Sequence, residues 1–300
     1  MKRIYFTSLN RVPDPTEDGD LGKLYVLDWD TKELLTKNLP GAAVQVGRSR
    51  GIRGITWYQD KLLVAGVTNR LSFYDPDTFR EIDTWAVEHA KFLHQVRVGP
   101  GPYEPRIYMA STGNDRCIAY PSCFTHFELD LNKDIIDPYI THPNTCQWGG
   151  DRLHFNSIAW DENGDEYHVY NATKMIFNYT KKEVFCHSRA FHGLHDIVIT
   201  PTHIITNSSG DRTTLAIDRQ TKDISVIHKN RRRPTTEHNL HGMTRGLALY
   251  KDLLFIGSTP GDVTLYRGQG NQWEFETNIS ISTDPHESIF DILLDPRDWT

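Results

Sequence analysis

The chain of 300 residues lacks the features of membrane and secreted proteins. No apolar run reaches the roughly 18 residues that a membrane span needs, and residues 1–25 contain no apolar core of a secretory signal. C-x-x-C spacing is also missing among the four cysteines, Cys117, Cys123, Cys146 and Cys186. Without a signal sequence, such cysteines predict free thiols in a reducing compartment, so we expect a cytoplasmic protein.

An excess of basic charge is missing as well. Lysine and arginine number 33 against 39 aspartates and glutamates, which gives a net charge of -6. A chain with this balance has no electrostatic preference for polyanions. The one basic run, residues 229–233, is expected to be a solvated loop. We therefore expect neither nucleic acid nor a membrane as a partner.

No window of the sequence shows helical periodicity as strong as its strand pattern. Short β-rich segments, separated by Gly, Asp, Asn and Pro, follow one another in groups of four. In one group the segments are 53–57, 61–66, 71–75 and 82–85, and the same order returns at 195–227 and 245–275. Two more groups begin near His94 and Asn156, the first of them longer, with an irregular stretch around 132–152. A recurring four-stranded meander is typical of a β-propeller.

The two ends of the chain supply the missing parts of one further unit. Residues 2–9 resemble a second strand without a first, and residues 288–294 resemble a first strand with nothing after it. If the two fragments pair, the ring of units closes and only short, protected edges remain. We therefore predict an all-β, six-bladed β-propeller, a single domain of residues 1–300 in which one blade is built by both termini.

Polar residues recur at the place where each first strand approaches the propeller axis. The equivalent positions are Arg53, His94, Asn156, His195, Arg245 and Phe290, and a second series just upstream is Arg50, His154, His192, His241 and His286. Six of the 14 histidines fall in these two series. One such histidine alone would be a structural hydrogen bonder, but convergence of many on one axis predicts a ligand site. Asp196 and Asp291, one residue further on, should turn toward a neighbouring blade and support the structure or the histidines.

The arginines of these series bear on the class of ligand. A guanidinium group recognises carboxylate, sulfate or phosphate through two parallel hydrogen bonds. Convergence of Arg50, Arg53 and Arg245 would favour an anionic ligand or transition state. A salt bridge from each arginine to a carboxylate of the next blade is the alternative.

Two segments resemble those of known propeller enzymes. Residues 195–201, HDIVITP, resemble the Asn-Asp-Ile-Val segment of the paraoxonases. Residues 155–164, FNSIAWDENG, are similar to a segment shared by gluconolactonases, strictosidine synthase-like proteins and paraoxonases. The resemblance implies a six-bladed propeller with a shared closing blade. It also implies a divalent cation at the axis, usually calcium, and hydrolysis of lactones or esters.

The match to this superfamily is partial. Asn156 coincides with a family metal ligand, but His195 stands in place of an expected asparagine, and the first-blade glutamate is missing. Phe290 occupies a place where a polar ligand would be useful. Imidazole in place of oxygen ligands favours zinc, iron, manganese or copper over calcium. Weaker resemblances are to arylsulfotransferases, through residues 154–158, and to uncharacterised bacterial propellers, through residues 244–248.

The first of three hypotheses is a metal-dependent enzyme that acts on a small anionic molecule, most simply by ester or lactone hydrolysis, with lyase or isomerase chemistry also open. Its metal ligands would be His94, Asn156, His195 and His241. Its catalytic histidines would be His154, His241 and His192. Its substrate would be held by Arg50, Arg53, Arg245 and His286. The second hypothesis is a metal-free transferase with a histidine nucleophile, and the third is a non-catalytic propeller that binds a protein or a glycan.

Overall fold

A computed structural model provides the structure of the chain. It describes residues 2–11, 22–39, 44–46, 49–66, 69–88, 90–101, 104–120, 124–128, 133–136, 138, 153–230 and 242–299. No helix within these ranges is long and apolar enough to cross a membrane. Of the cysteines, Cys117 and Cys186 are described, and both are buried free thiols. Burial raises the pKa of each, most strongly that of Cys117.

The described chain is an all-β propeller built from antiparallel meanders of four strands. The strands nearest the axis, called the inner strands here, are β5 (Ser49–Tyr58), β9 (Leu93–Gly99), β13 (Phe155–Trp160), β17 (Leu194–Ile199), β21 (Thr244–Tyr250) and β25 (Glu287–Leu294). The second strands are β1 (Arg3–Arg11), β6 (Lys61–Gly66), β10 (Arg106–Ser111), β14 (Glu166–Tyr170), β18 (His203–Ser208) and β22 (Leu253–Ser258). Their boundaries agree closely with the segments expected from the sequence.

The outer half of each meander contains two more strands. The third strands are β2 (Leu24–Asp28), β7 (Arg70–Tyr74), β11 (Arg116–Tyr120), β15 (Met175–Asn178), β19 (Thr213–Asp218) and β23 (Asp262–Gln269). The fourth strands are β3 (Leu34–Lys37), β8 (Glu81–Ala86), β12 (Phe124–Glu128), β16 (Glu183–His187), β20 (Ile224–Lys229) and β24 (Gln272–Ser280). A short strand, β4 (Val44–Val46), pairs with β5, and one helical turn, α1, spans Lys133–Ile136.

The strands of the described residues form four four-stranded sheets and one nine-stranded sheet. In the larger sheet β25 pairs antiparallel with β1, from Ile4 opposite Leu294 to Asn10 opposite Glu287. The ends of the chain therefore share one meander, as the sequence predicted. The same sheet is extended because residues 9–11 of β1 also pair with residues 49–51 of β5.

The inner strands form a closed ring in which each contacts the next. The contacts run from β5 through β9, β13, β17 and β21 to β25, and β25 returns to β5. Glycine allows one of these close approaches: a Cβ atom on Gly54 would lie 2.7 Å from the backbone nitrogen of Val96. The ring brings the middle of every inner strand to a common axis.

Apolar side chains fill the space between neighbouring sheets. Strand β1 shows the pattern, because its alternate residues point to opposite faces. Ile4 and Phe6 pack with Phe255 of β22, whereas Tyr5 packs with Ile52 of β5. Each sheet thus contributes two apolar faces to the core, and this packing holds the inner strands in place around the axis.

Candidate functional site

The inner strands carry the same irregularity at the same place. Their pairing with the second strand skips a residue, or two in β21, next to the axial position predicted from the sequence. The skipped residues are Arg53, His94, Asn156, Asp196, Arg245 with Gly246, and Phe290. A β-bulge bends the strand and re-aims a side chain that the regular pleat would send toward a neighbouring sheet. In β17 the skipped residue is Asp196, with a φ of 50°, directly after His195.

His94 lies among several of these residues. Its ring centre is 5.1 Å from that of His195, 5.0 Å from that of Phe290 and 6.1 Å from that of His154. His94, His195 and Phe290 are all buried, and His154 is partly exposed. The structure therefore brings together residues that are up to 196 positions apart. We call Arg53, His94, Asn156, His195, Arg245 and Phe290 the axial cluster.

Two arginines face the ring of Phe290. The guanidinium carbon of Arg245 lies 4.9 Å from the ring centre, and that of Arg53 lies 5.8 Å from it. A cation over an aromatic face is attracted by the negative face of the ring. Phe290 is apolar in a site predicted to be polar, but its ring thus stabilises the positive charges of both arginines.

The charges of these arginines act on His94. Burial lowers the pKa of His94 well below its usual value, and the positive charge of Arg53, the neighbouring His195 and the positive charge of Arg245 lower it further. His94 is therefore neutral at physiological pH, and its imidazole offers one donor and one acceptor. The same charges make this end of the axis favourable for an anion.

His195 and Asn156 are held by the backbone of neighbouring strands. Nδ1 of His195 lies 2.6 Å from the carbonyl oxygen of Gly193 and 3.1 Å from Oγ of Ser209. The contact with a carbonyl places the proton on Nδ1, which leaves Nε2 as the basic nitrogen of the ring. Nδ2 of Asn156 donates to the carbonyl oxygen of Leu194 at 2.6 Å. Oδ1 of Asn156 is buried and accepts no hydrogen bond from the described residues.

A second polar layer lies one position along the inner strands. Nε2 of Gln95 donates to Asp196 at 3.1 Å, and the backbone N–H of Gly246 donates to the same carboxylate at 2.8 Å. Oε1 of Gln95 accepts from Ser157 Oγ and from the N–H of Ile158. Burial, and then the negative charge of Asp291, raise the pKa of Asp196 to about 7. These bonds link neighbouring inner strands, which agrees with the structural role expected for Asp196.

Asp291 belongs to this layer too, and its main partner was missed by sequence reasoning. Arg97 donates two hydrogen bonds to its carboxylate, at 2.7 and 2.8 Å. The sequence did contain one signal for a buried polar partner. Gln95 and Arg97 are two residues apart, so two polar side chains lie on one face of a buried strand. That pattern does not say which of many carboxylates is the partner.

Small polar residues follow the second strands. The structure gives three of them a structural role. Oγ1 of Thr112 donates to the carbonyl oxygen of Phe155 at 2.7 Å. Oγ of Ser209 donates to that of Thr244, and Thr259 hydrogen bonds with Ser288. Each hydroxyl group thus connects one sheet to the inner strand of the next.

The second series of predicted residues is dispersed. His154 lies beside His94, but His192 is exposed, with its Nδ1 3.5 Å from a carboxylate oxygen of Asp211. His286 is partly exposed, and its backbone N–H donates to Asp284. The backbone of Arg50 pairs with Asn10, whereas its side chain and the whole of His241 lie outside the described residues.

The predicted metal site is incomplete within the described chain. Among these residues, no three His, Cys, Asp or Glu side chains are grouped so that they could hold a metal ion. The axial cluster provides two imidazole groups and the amide of Asn156, and His241 is not described. The divalent metal therefore stays a prediction.

Comparison with known proteins shows the fold alone. No family description and no curated protein matches the chain. A solved structure of a nidogen/laminin complex is 8% identical, with a TM-score of 0.64 over 97% of both chains. A mitotic checkpoint complex is 8% identical, with a TM-score of 0.53 over 96% of this chain and 94% of that one. The β-propeller domain of Cps50 (Swd1) from Myceliophteria thermophila is 13% identical, with a TM-score of 0.47 over 86% and 80%. The resemblance to gluconolactonases and paraoxonases stays a prediction.

Proposed function

We propose that this chain is a non-catalytic six-bladed propeller that binds a carboxylate group of a protein partner at the axial cluster. The count of six is supported by the closed ring of inner strands and by the bulge that each of them carries. The nine-stranded sheet then represents two blades. Among the described residues, they are joined where residues 9–11 of β1 pair with residues 49–51 of β5.

The observation that carries the proposal is the pair of guanidinium groups over the ring of Phe290. Arg53 and Arg245 reach it from different inner strands, so an anion at the axis can meet both. Asp196 and Asp291 of the inner strands, one position along from axial residues, are hydrogen bonded to Gln95, Gly246 and Arg97. Arg53 is the more exposed of the two arginines.

A protein partner is supported by the similar structures. Those with TM-scores of 0.64 and 0.53 are described as a nidogen/laminin complex and a mitotic checkpoint complex. Both descriptions name assemblies of proteins. An aspartate or glutamate side chain of a partner would present the planar carboxylate that suits a guanidinium group.

Fluorescence anisotropy with a labelled peptide of alternating glutamate and glycine tests the proposal. We expect binding that weakens with salt, and a loss of about tenfold or more in affinity for Arg53→Gln and Arg245→Gln. Arg267→Gln is the matched control, because Arg267 is an exposed arginine of β23 that pairs with Asp252 and Glu276. The proposal would be refuted if a peptide with glutamine in place of glutamate bound as tightly as the glutamate peptide. It would also be refuted if Arg53→Gln and Arg245→Gln both bound the glutamate peptide like the wild type. If acetate or citrate displaces the peptide and binds as tightly, the ligand is a small anion instead of a protein.

A second candidate is the metal-dependent hydrolase that the family resemblance implies. It is favoured by the buried Oδ1 of Asn156, which accepts no hydrogen bond from the described residues, and by the neutral imidazole of His94 near His195. His94, Asn156 and His195 would hold the ion, with His241 as a further ligand. A bound divalent cation would polarise a carbonyl group and lower the pKa of its water. The arginines would then orient the anionic substrate.

Elemental analysis and activity measurements separate the two candidates. A binding propeller carries no stoichiometric metal and cleaves no ester or lactone, with or without added zinc, manganese or iron. Stoichiometric metal together with hydrolysis of a lactone that a chelator abolishes would favour the hydrolase. Transfer activity that survives the chelator would favour the metal-free histidine transferase.

A further inference from the structure

A cavity outside the axial cluster lies between strand β20 and strands β23 and β24. Its volume is about 280 Å³. It is lined by His228, Lys229, Asn230, Ser258, Asp262, Thr264, Tyr266, Phe275 and Asn278. Small-molecule sites have volumes of about 300–1,000 Å³, so this cavity has room for a single small ring or the end of a longer chain.

His228 forms the inner part of the cavity. Its Nδ1 lies 2.9 Å from the hydroxyl group of Tyr266. Its Nε2 is buried and has no hydrogen-bond partner among the described residues. A buried polar atom of this kind costs free energy unless something fills the gap. A ligand hydroxyl group suits it whichever ring nitrogen carries the proton, because a hydroxyl both donates and accepts.

Aromatic rings lead from His228 to the surface. The rings of His228 and Tyr266 meet edge to face at 5.7 Å, and those of Tyr266 and Phe275 do so at 6.0 Å. Phe275 is 62% exposed, more than any other large hydrophobic side chain of the described chain. An apolar ring is thus exposed at the mouth of a polar cavity.

The remaining lining is polar and balanced in charge. Oγ1 of Thr264 donates to Oδ1 of Asn278 at 2.8 Å, and Asn278 is exposed, so its amide N–H groups face solvent. Asp262 and Lys229 contribute one charge of each sign. A neutral ligand with both hydroxyl groups and an apolar face therefore fits this cavity better than an ion does.

We propose that this cavity binds a saccharide, either a free sugar or the terminal residue of a glycan. One face of a pyranose ring is made of C–H groups and can lie on Phe275, while its hydroxyl groups can reach Nε2 of His228 and the amide of Asn278. Phe275 would provide most of the apolar contact, and His228 would select for a hydroxyl group at the inner end. This site is independent of the axial cluster.

Saturation-transfer NMR with the methyl glycosides of glucose, galactose, mannose and N-acetylglucosamine tests the proposal on the full chain. We expect saturable binding of at least one glycoside, weakened by about tenfold in Phe275→Ala and in Asn278→Ala. Both side chains are exposed, so the variants should fold, which thermal unfolding verifies. Val226→Ala is the matched control, because Val226 is 58% exposed on β20 but does not line the cavity.

The results of this experiment test the saccharide site independently of the function proposed for the axial cluster. No saturable binding of any of the four glycosides would overturn the saccharide site, as would equal binding by wild type, Phe275→Ala and Asn278→Ala. A loss of binding in Val226→Ala equal to that in Phe275→Ala would also overturn it. Arg53→Gln should bind the glycoside like the wild type, whether or not the acidic peptide binds at the axis.

Discussion

Arg97 of β9 donates two hydrogen bonds to the carboxylate of Asp291 of β25, at 2.7 and 2.8 Å. The two strands are not neighbours in the ring, because β5 lies between them. Asp291 bridges that gap by accepting a hydrogen bond from the backbone N–H of Ile55 in β5 at 3.0 Å. One ion pair thus joins three inner strands, including the one that closes the ring.

This arrangement predicts a large effect when one partner is removed. We expect Asp291→Ala to lower the free energy of unfolding by about 3–5 kcal/mol, because it leaves the charge of Arg97 without its partner and the N–H of Ile55 without its acceptor. Urea unfolding followed by tryptophan fluorescence measures the change. The exposed pair of Arg267 and Asp252 is the control, and Arg267→Ala should cost about 1 kcal/mol or less. A similar small cost for Asp291→Ala would contradict the role given to the ion pair.

The shared meander predicts that truncation is not tolerated. Deletion of residues 287–300 would remove β25 and expose the edge of β1, with Ile289 and Ile292 lost from the core. We expect this fragment to aggregate, as exposed edges pair with one another. Size-exclusion chromatography and urea titration of the fragment of residues 1–286 measure the outcome. A soluble monomer that unfolds cooperatively would contradict the closure of the ring through the pairing of β1 with β25.

A circular permutant provides the matched control. The described ends of the chain are adjacent, since Nε1 of Trp299 donates to the carbonyl oxygen of Arg3 at 2.9 Å. A short linker between the original ends, with new ends opened at the exposed turn of residues 220–221, keeps every strand. We expect this permutant to fold and remain soluble, because the new ends lie in an exposed turn between β19 and β20.

Much of the architecture follows from local sequence pattern. An apolar residue, an axial residue, a small or polar residue and another apolar residue occur in order in the inner strands, as in 52–55 and 93–96, except that Thr244 takes the first place in β21. That local pattern located the axial positions, and all of them except His195 coincide with a skipped residue. In β17 the skip moves to Asp196, whose left-handed backbone conformation cannot be deduced from the residue type alone.

The partners of polar side chains were much harder to predict. Arg97 and Asp291 are 194 positions apart, and periodicity does not show which carboxylate an arginine meets. The hydroxyl groups of Thr112 and Ser209 bond to carbonyl oxygens of the next inner strand, and the sequence pattern does not show these partners either. Backbone groups at the ends of strands are numerous and need partners, so they compete with any ligand for nearby hydroxyls. His192 shows the same limit, because its position in the repeat did not place it beside His94.

His228 predicts a pH dependence of stability. Burial lowers its pKa in the fold to about 4, whereas the unfolded chain binds the proton near pH 6.5. The unfolded state therefore holds more protons between these values, so stability falls as the pH drops from about 6.5 to about 4 and changes no further below that. The loss from this group is about 3 kcal/mol at most.

Urea unfolding at pH 7.5 and pH 5 measures this effect as a difference between variants. We expect His228→Gln to lose less stability than the wild type between the two pH values, even if it is less stable at pH 7.5. His187→Gln should behave like the wild type, because His187 is exposed on β16. Equal losses in His228→Gln and the wild type would show that His228 is not kept neutral by burial.

The last prediction concerns a metal at the axial cluster and decides between the two candidate functions. If His94, Asn156 and His195 are ligands, then wild type incubated with zinc or manganese and desalted should retain the ion, and His195→Ala should lose most of it. The fold of that variant should persist, because the sheets and their apolar faces, not the axial side chains, hold the inner strands together.

His203→Ala is the control: His203 lies in the same meander, near Asp218, and should retain metal like the wild type. Elemental analysis gives the content, and circular dichroism verifies the fold. Full metal content in His195→Ala, or none in the wild type at pH 7.5, would exclude this ligand set. The axial cluster would then be a site that binds an anion through Arg53 and Arg245, the two arginines over Phe290.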